Sequence, residues 1–185
     1  PFTVNLPIPP VLEPVRSDAT TDYYEISIKR NQIEILPGLT TEIWGYNGIT
    51  PGPTIKQHQG RQSVVRLINN LDASTSTHLH GMASLPQFDG YAEDLSEPGF
   101  YKDYIYPNNR AATFWYHDHA FDETAHHVYM GLAGMYIIQD DLELGLPLPK
   151  DKYDIPLIID DKVFANDGSL VFDDHQHTSV MGDII

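Results

Sequence analysis

The sequence predicts an all-β fold, a sandwich or barrel of short strands, and three observations carry that expectation. Apolar residues alternate with polar ones in several short stretches, the period of a half-buried strand. Clusters of Gly, Pro, Asn and Asp separate those stretches at short intervals, as turns do. Only residues 122–129, rich in Glu, Ala and His, read as a helix, and that stretch is short. With 41% hydrophobic and 20% charged residues over 185 positions, the composition is that of a folded globular chain.

The elements follow in order. Residues 1–22 read as an extended arm, because Pro7, Pro9, Pro10 and Pro14 remove backbone donors and fix φ. In residues 24–28, Tyr24, Ile26 and Ile28 share one face while Glu25 and Ser27 take the other. Residues 32–36 and 41–44 read the same way. Asn47-Gly48 and Pro51-Gly52-Pro53 read as turns. Further strands are expected at 63–68, 112–116, 134–138 and 155–159. Residues 140–151, with Asp140-Asp141, Gly145, Pro147 and Pro149, read as a loop and as the domain boundary. The first domain is therefore expected at 23–145, and 146–185 as the incomplete start of a second.

Composition excludes several function classes. Eleven Lys+Arg against 26 Asp+Glu give a net charge of −15, so no basic surface for phosphate contacts is available and nucleic-acid binding is not expected. No apolar run approaches the roughly 20 residues of a membrane span, the longest being residues 131–138. With no Cys, the chain has no disulfide, thiolate ligand or cysteine nucleophile. No signal peptide is visible, and no Asn-x-Ser/Thr acceptor occurs.

The histidines carry the chemistry. His78-Leu79-His80 and His117-Asp118-His119 are both His-x-His. On a strand, residues i and i+2 point to the same face, so each pair presents two imidazoles together. Two such strands side by side would present four, and imidazole is the commonest ligand for Zn, Cu, Fe and Ni. The neighbours narrow the choice. Met82 and Ala83 stand where a His-x-His-x-Asp-His site needs Asp and His, and His-Glu-x-x-His is absent. A closed four-His zinc site fits the geometry, although structural zinc usually recruits Cys. A copper cluster shared between strands fits best.

Other residues are read more plainly. His126-His127 are neighbours and are expected at the surface or in packing. His175 and His177 form a third His-x-His in an Asp-rich stretch that reads as a solvated loop. His58 sits in a Gln/Gly turn with no evident partner, and Trp115 and Tyr116 are expected to pack beneath the ligands.

The text from Trp44-Gly45-Tyr46-Asn47-Gly48 to Pro51-Gly52-Pro53-Thr54-Ile55 resembles the first cupredoxin domain of the multicopper oxidases. So do Thr77-His78-Leu79-His80-Gly81, Phe88-Asp89-Gly90-Tyr91-Ala92-Glu93-Asp94, Trp115-Tyr116-His117-Asp118-His119 and residues 131–138. Within that family the text is most similar to fungal bilirubin oxidases and bacterial spore-coat laccases. The resemblance implies a cupredoxin-type Greek-key β-sandwich or barrel, followed by the opening strands of a second cupredoxin domain. It implies copper: His78 as a type 2 ligand, His80 and His117 on one type 3 copper, and His119 on the other. It also implies that Asp89, before Gly90, relays protons to the cluster, the bland alternative being a turn-forming Asp-Gly.

The family's cluster takes eight His, and its type 1 copper needs a Cys thiolate that this chain lacks. The expected function is therefore the N-terminal part of an oxidase, working with a complementary C-terminal chain of the same precursor as a heterodimer. O2 is the expected acceptor and a small phenolic, aminophenolic or tetrapyrrole compound the reductant, with secretion as the expected location. Two alternatives stay open: a metal-ion oxidase or copper-resistance protein, which Met clusters would favour, and a copper-free interaction module. The four scattered Met weigh against the first, and retention of all four His against the second.

Overall fold

The structure, a computed structural model, describes residues 4–173, 182, 184 and 185. Among the described residues, nine strands form two sheets: β1 (Arg16–Ser17), β2 (Thr21–Ile33), β3 (Thr41–Tyr46), β4 (Gly52–His58), β5 (Gln62–Asn69), β6 (Thr77–His80), β7 (Tyr101–Tyr106), β8 (Ala112–Asp118) and β9 (Ala133–Gln139). One sheet runs β1-β2-β5-β7, with β3 also on β2, and the other runs β4-β9-β8-β6. The pairs β2–β5 and β4–β9 are parallel and far apart in sequence, so the chain crosses between sheets as a Greek-key sandwich does.

The core lies between the sheets and follows from the period-2 text. Tyr24, Ile26 and Ile28 of β2 and Val65 and Leu67 of β5 meet Ile55, Leu79, Phe114, Tyr116, Tyr136 and Ile138 from the second sheet. Six of the buried side chains in this core are tyrosines, whose hydroxyls need partners. The Tyr136 hydroxyl donates to Asn108 Oδ1 and is also hydrogen-bonded to the Ser63 hydroxyl, both at 2.8 Å, and Tyr116 donates to the Pro53 carbonyl at 2.6 Å.

Several expectations need correction. Residues 24–28 and the first part of 32–36 belong to one 13-residue strand, β2, whose outer half pairs with β3 through exposed Lys29–Gln32 positions. Pro51-Gly52-Pro53 is not only a turn: Gly52 and Pro53 open β4, with the ladder irregular between Gly52 and Ile55 where the proline lacks a donor. Strand β7 was not expected at all. Residues 155–159 form no strand; Ile158 and Ile159 line a surface pocket with Thr113, Phe114, Trp115 and Met135 of β8 and β9. The loop at 140–151 holds a short helix, α2 (Asp141–Gly145), capped by Asp140, whose side chain accepts from the Glu143 N–H. The expected helix at 122–129 is present as α1 (Thr124–Tyr129).

The arm is tied down. Thr54 accepts from the Leu12 N–H and donates to the Pro10 carbonyl, and Arg16–Ser17 pairs with β2. Beyond α2, the described residues show a single 3-10 turn at Asp151–Tyr153 and two isolated bridges, Lys162 with Ile184 and Phe164 with Leu170. Tyr129 anchors this segment: its hydroxyl donates to Val171 O and accepts from the Val163 N–H, each at 2.8 Å.

Candidate metal centre

Strands β6 and β8 are antiparallel neighbours, with His78 opposite His117 and His80 opposite Trp115. Thr77 and Leu79 point into the core, so His78 and His80 point the other way. On β8, Phe114, Tyr116 and Asp118 take the core side and Trp115 and His117 the outer one. His119 lies just past β8, where its N–H donates to the Ser76 carbonyl at 2.6 Å. Four imidazoles therefore gather on one rim. The His78 ring centroid is 5.4 Å from His80, 5.5 Å from His117 and 5.3 Å from His119. His117 is 5.5 Å from His80 and 5.8 Å from His119.

Backbone carbonyls set which nitrogen of each ring is free. A carbonyl can only accept, so the nitrogen facing it must carry the proton. His78 Nδ1 donates to the Asp89 carbonyl and His117 Nδ1 to the Asp118 carbonyl, the latter at 2.8 Å. In both neutral rings the lone pair is then on Nε2. His117 Nε2 faces His80 Nδ1 at 3.3 Å. Donor atoms of His78, His80 and His117 all lie within 4.8 Å of one another. His119 Nδ1 is buried and has no hydrogen-bond partner among the described residues.

Burial keeps His117 neutral. Burial pushes the His117 imidazole down to about 4; its bond to the Asp118 carbonyl opposes this, and the neighbouring His78, His80 and His119 add repulsion. The form with a free lone pair, which binds metal, is thus the stable one near neutrality. Trp115 stacks alongside two of the rings, 4.2 Å from His117 and 5.2 Å from His80, while Tyr116 faces the core. Trp115 thus flanks the ligand rings, and only Tyr116 packs beneath them.

Asp89 sits beside the rim. Its carboxylate is 3.7 Å from His78 Nδ1 and its side chain is 44% exposed. The loop reaches that position because of Gly90, which has φ +73°, and a Cβ there would lie 2.2 Å from Thr77 O and 2.7 Å from His78 Cα. Only glycine permits this approach. The Asp-Gly pair is therefore a turn and also a clamp on His78.

The residue between the second pair was overlooked in the sequence. Asp118 is fully buried and accepts three donors: the Ser76 N–H at 2.9 Å, the Ala120 N–H at 3.0 Å and His127 Nδ1 at 2.7 Å. His127 is buried in packing, as its reading allowed, with its ring 4.8 Å from Trp44. Alternation on β8 could have placed Asp118 in the core; its partner nine residues on could not be foreseen. His58 does have a partner, Asp141 Oδ1 at 3.0 Å, which raises its pKa. His175 and His177 lie outside the described residues.

The donor set suits an imidazole-preferring first-row metal such as copper. Two nitrogens that share one tetrahedral ion at about 2.0–2.1 Å stand about 3.4 Å apart, close to the His80–His117 separation of 3.3 Å.

Comparison with known proteins agrees with this chemistry. The family model described as "Multicopper oxidase" matches residues 27–143. The chain is 45% identical to a bilirubin oxidase of Albifimbria verrucaria, over all of this chain and 34% of that protein. It is 37% identical to a laccase of Bacillus subtilis (strain 168), over 92% of this chain and 40% of that protein. The crystal structure of a laccase from Pediococcus acidilactici Pa5930 superposes with a TM-score of 0.84 at 33% identity, covering 90% of this chain and 37% of that one. The chain thus spans between about a third and two fifths of these relatives' length.

Proposed function

This chain belongs to the multicopper oxidase family, and on that premise we propose that it contributes half of a copper cluster's histidines to an oxidase. The proposed reaction couples one-electron oxidation of phenolic, related aromatic or tetrapyrrole substrates to four-electron reduction of O2 to water. His78 would hold the type 2 copper, His80 and His117 one type 3 copper, and His119 the other. Bound copper would supply one-electron steps and an O2-binding centre.

The observation that carries this reading is the facing pair, His80 Nδ1 and His117 Nε2 at 3.3 Å. Backbone carbonyls hold the His78 and His117 rings in the tautomer whose Nε2 lone pair is free, and His117 Nε2 can accept from a protonated His80 Nδ1 or, with His80 in its other tautomer, share one cation with it. Trp115 shields one side of these rings. Asp89 would take protons from solvent on its exposed carboxylate and pass them along the His78 side of the rim. Four protons are consumed per O2, so an acid at this boundary fits the stoichiometry.

The remaining parts are the type 1 site and the other cluster ligands, and residues 1–185 hold no Cys for the former. We assign them to a complementary C-terminal chain that also completes a second cupredoxin domain begun at residue 146. Exposed Leu146, Leu148, Leu157 and Ile159 support an apolar interface there, of the obligate kind above roughly 2,000 Å². Secretion fits the same reading.

Copper content and O2 uptake of the assembled protein test it. His78→Ala or His119→Ala should remove cluster copper and abolish O2 reduction, while chemical oxidants still bleach the type 1 centre. Full O2 reduction by either variant would overturn the proposal.

A further inference from the structure

The helix that braces the second histidine pair carries another donor cluster on its far side. Glu123, His126 and His127 stand at i, i+3 and i+4, the spacing that puts three side chains on one face of a helical turn. Glu123 Oε2 is 3.7 Å from His126 Nδ1 and 3.8 Å from His127 Nε2. All three donor atoms lie within 4.8 Å of one another.

His127 distinguishes this cluster from a surface ion pair. Its side chain is 1% exposed, so a buried group forms the floor of the cluster. Its Nδ1 donates to the buried Asp118 carboxylate at 2.7 Å, which leaves the Nε2 lone pair aimed at Glu123. Carboxylate–imidazole–metal is the recurring arrangement by which proteins orient a ligating histidine and raise its basicity. The His126 ring is packed against Trp44 and Phe172, 5.3 and 5.1 Å away, while the Glu123 side chain, 57% exposed, forms the solvent side of the cluster. The edge of a tetrahedral site is about 3.4 Å, and the two measured separations exceed it by only a few tenths of an ångström.

We propose that Glu123, His126 and His127 form a second divalent transition-metal site, separate from the four-histidine rim. Two imidazoles and one carboxylate select an ion of the zinc, nickel or copper type over magnesium or calcium, which prefer all-oxygen sets. An ion here pulls on His127, and through it on Asp118, the residue between His117 and His119. The site thus ties α1 to the rim without being part of it. The inference does not rest on the copper-cluster reading.

Equilibrium dialysis of the metal-stripped, assembled protein against Zn2+ tests it, with zinc counted per chain. The double variant Glu123→Gln/His126→Gln alters partly exposed side chains, and its fold is checked by circular dichroism. Wild type should bind one more Zn2+ per chain than this variant, and the difference should persist in a His80→Ala background. Equal counts in folded proteins would overturn the proposal. Should the double variant unfold, the single Glu123→Gln variant decides: zinc affinity should drop at least about tenfold, since outer partners alone cost that much. An unchanged affinity would refute the site.

Discussion

The histidine pair on β6 is braced from outside the sandwich, whereas the pair at the end of β8 is braced from within it. His78 is held by the carbonyl of Asp89, delivered by a loop that fits only because residue 90 is glycine. His117 and His119 flank Asp118, which is fully buried and gathers three donors from two backbone segments and His127. The spacer residues make the contrast plain. Leu79 and Asp118 occupy the equivalent middle position and both are fully buried, yet one contributes apolar area and the other a hydrogen-bond hub. The same motif can therefore be oriented by packing plus a loop, or by a buried carboxylate, and each solution fails in its own way.

The largest effect is expected from Asp118→Leu, which copies the first pair's spacer into the second. It leaves three buried donors without an acceptor, each costing roughly 1–3 kcal/mol, so a loss of about 5 kcal/mol is expected in urea unfolding. If the variant is as stable as wild type, Asp118 braces nothing. Leu79→Ala should cost less, about 3 kcal/mol, from lost burial and a residual cavity. A cost above that of Asp118→Leu would invert the comparison.

Gly90→Ala sharpens it further, at about 2 kcal/mol for the left-handed backbone and the close approach to β6. Its specific signature is nitrogen-15 NMR of the imidazoles. His78 should lose its fixed Nδ1–H tautomer while His117 keeps its own; loss at both rings would mean the braces are not independent. The smallest stability effect is expected from Asp89→Asn, within about 0.5 kcal/mol because the side chain is partly exposed. Its O2 reduction should still slow, since an amide does not relay protons, and unchanged turnover across pH would remove Asp89 from the mechanism.

Much of this contrast was legible in the sequence, and what was not has physical causes. The two His-x-His pairs needed only strand periodicity to put their rings on one rim, and β8 and β9 alternate cleanly enough to be read. Strand β4 was masked by Pro51-Gly52-Pro53, whose turn signal outweighs the apolar text after it. Strand β7 was masked because Lys102 shares a face with buried Tyr104 and Tyr106, its charge being met by an ion pair with Asp94. Residues 155–159 show the converse. Alternating Ile155, Leu157 and Ile159 look strand-like, but period 2 says which side chains share a face and not whether a neighbouring strand exists to pair with. The Asp118–His127 bond joins residues separated by a turn and most of α1, and no local pattern encodes it.

On the proposed function, His80 and His117 face each other because they share one copper. Anomalous diffraction at the copper edge from crystals of the assembled, copper-loaded protein tests it most directly. A copper peak is expected between His80 Nδ1 and His117 Nε2, about 2.0–2.1 Å from each, as imidazole nitrogens sit on first-row ions. A peak bound to one of the two rings alone, or no peak at the rim of β6 and β8 in copper-replete protein, would contradict it.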